Sequence, residues 1–552
     1  MPLPPNYVEA VYADPGTERY RGNPLIEALP PIMDLPALKK NLVGKVEYHP
    51  KDCFDPGHIR AHHISTLLDD FFQPLSMHMQ LEEKISIMIR RGYVGRNVSD
   101  GSLNRKMQEG YQRIMSGAAC DFRFEQSNST AKSLSLIGCS GSGKSSTINR
   151  ILATYPQVIY HPSDNFIQLP YLRMECPSNG SLKSLCLNFF REVDRALQTT
   201  DYEGKYARKR LGTEVLLSLM GQVANQRAVG VLVIDEIQRL TLSRSVSQEA
   251  MLEFFVALVN VVGVPVVLVG TPKARPIFEM ELQAGRRSAG FGSLFWEPMK
   301  QGDMKINPKT GLPRKTEWIA FTDKLWRYQW LTSKDEVLSD EVRACWYDLS
   351  QGVLDIVVKL FVLAQLRAIA TGLEKITVKL LKTVYYQELK PVHPMLDALR
   401  QDDPELISQF SDLLLPSIDK RLLELRRQIE EQQSKSNEVH SFGGNEKALR
   451  LYTMLEAMEL ESKLLPSLVE GVLDKYPNLS IPELVHIALK VNLAPPKAKK
   501  KRKPVVKRSE WPSLESDDLR FKFSQATKGK LYDELSYGTE LMDIAGWLEE
   551  AQ

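Results

Sequence analysis

Long uninterrupted apolar runs are missing from this chain, and so are cysteine patterns that staple a fold or hold a metal. The most apolar stretch, Val353 to Ala364, is broken by Asp355 and Lys359. It is too short for a bilayer, whose hydrocarbon core takes about 20 apolar residues in helical form. The six cysteines (Cys53, Cys120, Cys139, Cys176, Cys186 and Cys345) contain no C-x-x-C pair and no metal spacing. That pattern fits reduced, mostly buried thiols in a reducing compartment. The first residues, Met1 to Tyr12, lack the basic-then-apolar layout of a signal peptide. A surplus of either charge is also absent. With 71 Lys and Arg against 68 Asp and Glu the net charge is +3, so only the distribution of charge can speak for nucleic acid. There is no internal repeat and no zinc finger or comparable DNA-reading motif. The expectation is a soluble, cytoplasmic protein without a membrane partner. Its 552 residues exceed a single core and suggest roughly three or four domains.

What is present centres on Gly138-Cys139-Ser140-Gly141-Ser142-Gly143-Lys144-Ser145, a full G-x-x-x-x-G-K-[ST] loop followed by Ser146. In such a loop glycines let successive N–H groups turn inward on phosphates, Lys144 reaches the β- and γ-phosphates, and the Ser145 hydroxyl is offered to Mg²⁺. Leu134 to Ile137 upstream reads as a short buried strand, and Ile148, Ile151 and Leu152 downstream recur at helical spacing. Strand, loop and helix in that order aim a positive helix N-terminus at the phosphates. This implies a nucleotide site.

Further strands are expected at Val158 to Tyr160, Tyr171 to Met174, Val231 to Ile234, Val264 to Val269 and Leu294 to Trp296, with helical stretches between them. Strands alternating with helices imply a parallel sheet covered on both faces. The expected fold class is α/β, a P-loop parallel sheet with a helical lid, an N-terminal arm, and a C-terminal helical extension with a flexible tail. Residues 1–65, rich in proline and polar residues, read as an irregular arm or small adaptor, and 66–316 as the nucleotide-binding core with a loop insertion at 300–316. Residues 317–395 form the lid, where Ser339 should cap a helix and Gly352 break it. Residues 396–495 are a helical extension, with a charged helix at 417–433, a polar linker at 434–446 and a small helical unit at 447–491. Residues 496–552 are a tail. Its basic run (Lys497, Lys499, Lys500, Lys501, Arg502, Lys503, Lys507 and Arg508) precedes an acidic segment bearing Trp511, Phe521, Phe523, Tyr532 and Trp547.

The strand Val231 to Ile234 ends in Asp235 and Glu236, which places two carboxylates at the carboxyl edge of the sheet beside the phosphate loop. Asp235 would hold Mg²⁺ and Glu236 would activate the attacking water. Thr271, at the end of the next strand, can touch the γ-phosphate or the water. Arg286 and Arg287, one helix later, can act as a finger on a neighbouring subunit's γ-phosphate or simply end a solvated helix. For nucleic acid the candidates are Lys205, Arg208, Lys209 and Arg210, with Lys183 on the preceding helix, and the tail run. Each can neutralise phosphates without reading sequence, or be a solvated face; the tail run can equally meet an acidic protein surface.

The words GYVGRN, LIGCSGSGKSS, RILATYPQVIYH, NGSLKSLCLNFFR, VLVIDEIQ, VGTPKAR and SQGVLDIVVKLFVLAQLRA, in that order, resemble the TnsC family. These are the AAA+ regulators of Tns-type bacterial cut-and-paste transposons. The resemblance is close from about residue 7 to 400 and looser beyond. It implies an AAA+ fold that hydrolyses ATP with Mg²⁺ and assembles as homo-oligomeric rings or filaments on double-stranded DNA of any sequence. It also implies a target-site selector, a TnsB-like transposase and a TnsA-like endonuclease as partners, the last at the C-terminal end. By this resemblance Val94 and Arg96, around Gly95, lie near adenine. One departure is that Asp355 stands where many AAA+ lids carry arginine, three residues after Gly352, with Lys359 one turn later. The alternatives are an ATPase scaffold that never touches DNA, and a helicase or loader. ATP-dependent retention on DNA and strand separation distinguish them.

Overall fold

The computed structural model describes residues 4–115, 132–207, 211–242, 248–275, 277–278, 292–302, 305–306 and 313–413, then 465–476, 481–492, 508–513 and isolated positions between and beyond. It divides into two units, Met1–Lys435 and Ser436–Gln552.

In the first unit, strands are numbered β1 (Tyr7–Glu9), β2 (Ser133–Ile137), β3 (Val158–His161), β4 (Phe166–Gln168), β5 (Tyr171–Glu175), β6 (Val231–Asp235), β7 (Val266–Gly270), β8 (Ser293–Phe295), β9 (Lys305–Ile306) and β10 (Pro313–Arg314). The central sheet is all parallel, in the order β5-β6-β7-β2-β8. The inner strands β6 and β7 are buried on both faces, which is why they read as continuous apolar runs, whereas the edge strands β5 and β8 are only partly buried. Alternate residues serve opposite sides. Leu134, Leu136, Val231, Val233, Val267 and Val269 enter one core with Ile85, Ile89, Ile148 and Ile151. Leu232, Ile234, Val266 and Leu268 enter another with Phe189, Phe190, Met220 and Phe254. The register pairs Glu175 with Asp235, and Ile137 with both Gly270 and Phe295, so the strand ends line up along one edge.

Three sequence expectations need correction. Val158 to Tyr160 was expected in the parallel sheet, but β3 belongs to a separate sheet of order β1-β3-β4. The turn at Pro162–Asp164, with Asn165 at φ 46°, reverses the chain into antiparallel β4, and β1 pairs parallel on the other side. Second, residues 1–65 do not stand apart as an arm. Leu25, Ile26, Leu29, Leu38 and Leu42 are buried in the same core as β2 and β6. Their helices, Pro24–Glu27 and Leu35–Leu42, are too short to show a helical period, though Asn23 and Asp34 cap them.

Third, the lid begins earlier and ends later than 317–395. Ala61, Ile64 and Leu67 of the helix Gly57–Asp70, with Phe71 and Leu75, share one core with Trp318, Trp346, Leu360 and Phe361, and also with Met395 and Leu396. Arg60 fixes this union by a two-pronged bond to Glu374, Nη1 to Oε2 at 2.7 Å and Nη2 to Oε1 at 2.9 Å. Such paired contacts hold geometry as well as contributing energy. Inside the lid the expected signals hold: the Ser339 side chain accepts from Val342 N, and Gly352 adopts φ 69°. The expected 300–316 insertion contains the small antiparallel pair β9–β10.

In the second unit, helices Leu465–Lys475 and Ile481–Asn492 share a small apolar core with Leu451 and Leu455, where the helical unit at 447–491 was expected. The charged helix at 417–433 and the linker at 434–446 fall almost wholly outside the described residues, as does the basic run through Lys507. Among the described residues no helix is long and apolar enough to cross a membrane.

Candidate nucleotide site

The phosphate loop leaves β2 and enters the helix Lys144–Leu152. Its backbone bends where only glycine is at ease, with Gly141 at φ 74° and Gly143 at φ 92°. Gly138 serves a different need, because a Cβ there would come 2.3 Å from the Trp296 carbonyl oxygen. Trp296 follows β8, is buried, and donates Nε1–H to Ser142 O at 2.8 Å, bracing the loop from outside. The Lys144 ammonium donates to Gly138 O at 2.7 Å and Cys139 O at 2.8 Å. Burial pulls its pKa down, opposed by Cys139 and by the charges of Asp235, Glu236 and Asp412. The Cys139 thiol is pushed up by burial, with Lys144 opposing.

The acidic pair stands where the register placed it. Ser145 donates its hydroxyl to Asp235 Oδ2 at 2.8 Å, and Arg173, on neighbouring β5, donates Nη2–H to the same oxygen at 2.9 Å. Asp235 Oδ1 accepts Glu236 N–H at 2.9 Å. Glu236 sits at φ 60°, a left-handed conformation that costs a non-glycine residue roughly 1–2 kcal/mol and clusters at functional sites. Burial raises its pKa, against the lowering effect of nearby Arg239. Gln238 donates to Glu236 Oε2 at 2.9 Å and accepts from Thr271 N at 3.2 Å, tying the acid to the end of β7.

The lid and its C-terminal helices close the site. Asp355 N donates to Gly141 O at 2.9 Å, so the lid helix Leu354–Ala370 touches the loop through backbone. Lys359 is ion-paired to Asp355 at 2.7 Å. After the helix Pro404–Phe410, Ser411 O accepts from Ser140 N at 2.8 Å, and the Asp412 carboxylate accepts the Thr271 hydroxyl and pairs with Lys273 at 3.1 Å.

One pocket brings most of these groups together. Ser140, Gly141, Gly143, Lys144, Ser145, Ser146, Asp235, Glu236, Gly270 and Thr271 line it, and Leu67, Phe71, Phe72, His78 and Phe321 form its apolar wall. Val94 and Arg96, expected near adenine, are not there. Arg96 is 1 % exposed, and its guanidinium donates to Gly92 O and Val229 O. Val229 precedes β6, so Arg96 lies at the edge where strands begin, opposite the phosphate loop. The aromatic wall comes instead from Phe71, Phe72, His78 and Phe321, residues to which the sequence assigned no site role. Lys183 and Lys205 are exposed and Lys205 lies over the Tyr206 ring, whereas Arg208, Lys209, Arg210, Arg286 and Arg287 fall outside the described residues.

No group of three or more His, Cys, Asp or Glu among the described residues is placed to hold a metal by itself. Magnesium does not need one, because with nucleotides it is bound by one or two carboxylates and by substrate phosphates. The Ser145–Asp235 oxygen pair beside a glycine loop is a donor set of that kind.

A parallel sheet with a phosphate loop on one strand and an acidic pair on another defines the class, an AAA-type ATPase. An AAA-domain family model matches residues 126–278. A second model, described as the Tn7 transposition regulator TnsC, matches residues 506–551. Together they support a TnsC-like AAA+ ATPase, a transposition-regulator ATPase that binds ATP. No curated protein matches it significantly. Similar solved structures include a Walker-type ATPase of Pyrococcus abyssi at 15% identity, covering 59% of this chain and 88% of that one, with TM-score 0.31. Another is the Aeropyrum pernix ORC2 protein in ADPNP–ADP complexes, at 12% identity, 71% and 85% coverage and TM-score 0.29. Drosophila ORC bound to DNA matches at 13% identity, 73% and 88% coverage and TM-score 0.33.

Proposed function

We propose that this ATPase assembles as a ring or filament on target duplex DNA of any sequence and couples target selection to activation of the transposase. The observation that carries the reading is the complete Lys144–Ser145–Asp235–Glu236–Thr271 constellation in a chain whose end matches the TnsC model. Residues Gly138 to Ser146 cradle the triphosphate through backbone N–H groups, with Lys144 as point charge. Ser145 and Asp235 hold magnesium, which when bound neutralises charge on the phosphate oxygens. Glu236 orients the attacking water and accepts its proton, and Thr271 senses the terminal phosphate. The apolar wall of Leu67, Phe71, Phe72 and Phe321 suits a purine face. Arg286 or Arg287 completes a neighbouring subunit's site.

Lys183, Lys205, Arg208, Lys209 and Arg210 neutralise DNA phosphates, and target choice belongs to a selector protein. The aromatic tail docks a TnsA-like endonuclease, while a TnsB-like transposase reads the assembled state. The test is binding to random-sequence duplex, with and without a non-hydrolysable ATP analogue, across a salt series. Charge reversal at Lys205, Arg208, Lys209 and Arg210 should weaken binding on every sequence and flatten the salt slope. ATP-independent behaviour, or no retention on DNA, would favour the scaffold reading.

A further inference from the structure

We propose that Gln238 is the positioning residue of the hydrolytic step, holding Glu236 at the water and tying its orientation to the β7 end that carries Thr271. The inference rests on the assignment of Glu236 as the group that activates water. Gln238 lies in the short 3₁₀ turn Ile237–Leu242 and is 6 % exposed. Its amide is used at both ends: Nε2 donates to Glu236 Oε2 at 2.9 Å, and Oε1 accepts from Thr271 N at 3.2 Å. A side chain with only one polar end could not make this bridge, and neither could a carboxylate, which has no donor for Glu236.

Two neighbouring features fit the bridge. Gly270, immediately before Thr271, leaves room for it, since a Cβ there would stand 3.0 Å from Gln238 Oε1. Glu236 has a left-handed backbone, a strained conformation that persists only where its surroundings hold it. Arg239 also pairs with Glu236, but farther away at 3.6 Å, and it bonds Glu175 and the Cys176 carbonyl as well. Gln238 is therefore the short hydrogen bond on the Glu236 carboxylate. Any shift of Thr271 on meeting a terminal phosphate is transmitted through one amide to the water-activating acid.

Gln238→Met keeps the volume and removes both bonds, while Gln238→Glu keeps the acceptor for Thr271 N and removes the donor to Glu236. In the full-length chain, steady-state hydrolysis is measured beside the affinity for a fluorescent ATP analogue and the unfolding midpoint. Misplacing a catalytic group by about an ångström, or losing the partner that orients it, costs about 10–100-fold. Both variants are expected to lose kcat by about that factor with analogue affinity within about twofold. In a double-mutant cycle, Gln238→Met added to Glu236→Gln should cost nothing more in single-turnover hydrolysis, because both act through one carboxylate. A kcat within about twofold of the parent, or a loss that multiplies with Glu236→Gln, overturns the proposal. Parental turnover by Glu236→Gln alone overturns the assignment of Glu236 instead.

Discussion

Thr271 donates its hydroxyl hydrogen bond to Asp412, a carboxylate 141 positions further along the chain. The same carboxylate pairs with Lys273, and its charge reaches Lys144 in the phosphate loop. An anion supplied by the chain itself thus occupies the threonine that would meet a terminal phosphate. Asp412→Ala should free Thr271 and Lys273 and remove a negative charge facing the triphosphate. The expected result is ATP-analogue affinity higher by roughly fivefold, the effect of about 1 kcal/mol. Unchanged or weaker affinity in a titration would show that Asp412 does not oppose the triphosphate.

Lys144→Ala removes the point charge at the centre of the loop. Charge-assisted hydrogen bonds contribute about 1.5–3 kcal/mol each, so ATP affinity should fall by about a hundredfold or more. Calorimetric titration of the variant measures this directly, and parental affinity would refute the loop assignment.

Much of this site was legible in sequence, and the reasons differ by residue. The loop from Gly138 to Ser145 and the Asp235–Glu236 pair announce themselves because phosphate chemistry fixes both residue type and spacing along one strand or turn. Thr271 was legible because the β7 run ends there. Trp296, Arg173, Ser411 and Asp412 were not, since each reaches the site from a distant element and no local spacing links them to it. The adenine expectation at Val94 and Arg96 failed because Tyr93 and Arg96 are used to close the opposite sheet edge, bonding Ala228 O and Val229 O. In the fold, the five strands of the central sheet were legible, whereas β1, β4, β9 and β10 were not, being only two or three residues long. The N-terminal helices and the true lid boundary emerged only from packing.

Trp296→Phe keeps an aromatic ring but leaves the Ser142 carbonyl without its donor. An unsatisfied buried acceptor costs about 1–3 kcal/mol. The midpoint of urea unfolding should fall and ATP affinity should weaken with it, because Ser142 belongs to the loop. A variant with parental midpoint and affinity would show that the brace is dispensable.

His78 stacks between Phe72 and Trp296, and burial lowers its pKa from 6.5 to about 4. Its Nδ1 accepts from Leu75 N at 3.1 Å, which suits a neutral ring. The unfolded chain therefore binds a proton more readily than the folded one. Stability from this group is fully present above about pH 6.5 and is lost progressively as pH falls from there toward 4, by about 3 kcal/mol in total. His78→Asn should flatten that part of the stability–pH curve relative to the parent. Parallel curves for the two proteins would contradict the assignment.

The most direct test of the account is the lifetime of Glu236→Gln on random-sequence duplex DNA, measured with ATP and with ADP alongside ATP turnover. The amide cannot take the proton of water, while Asp235 and Lys144 remain to hold the nucleotide. The account predicts turnover reduced by about 10²–10⁴-fold and a DNA complex that persists in ATP but dissociates in ADP. Normal turnover, or a DNA lifetime indifferent to which nucleotide is bound, would contradict it.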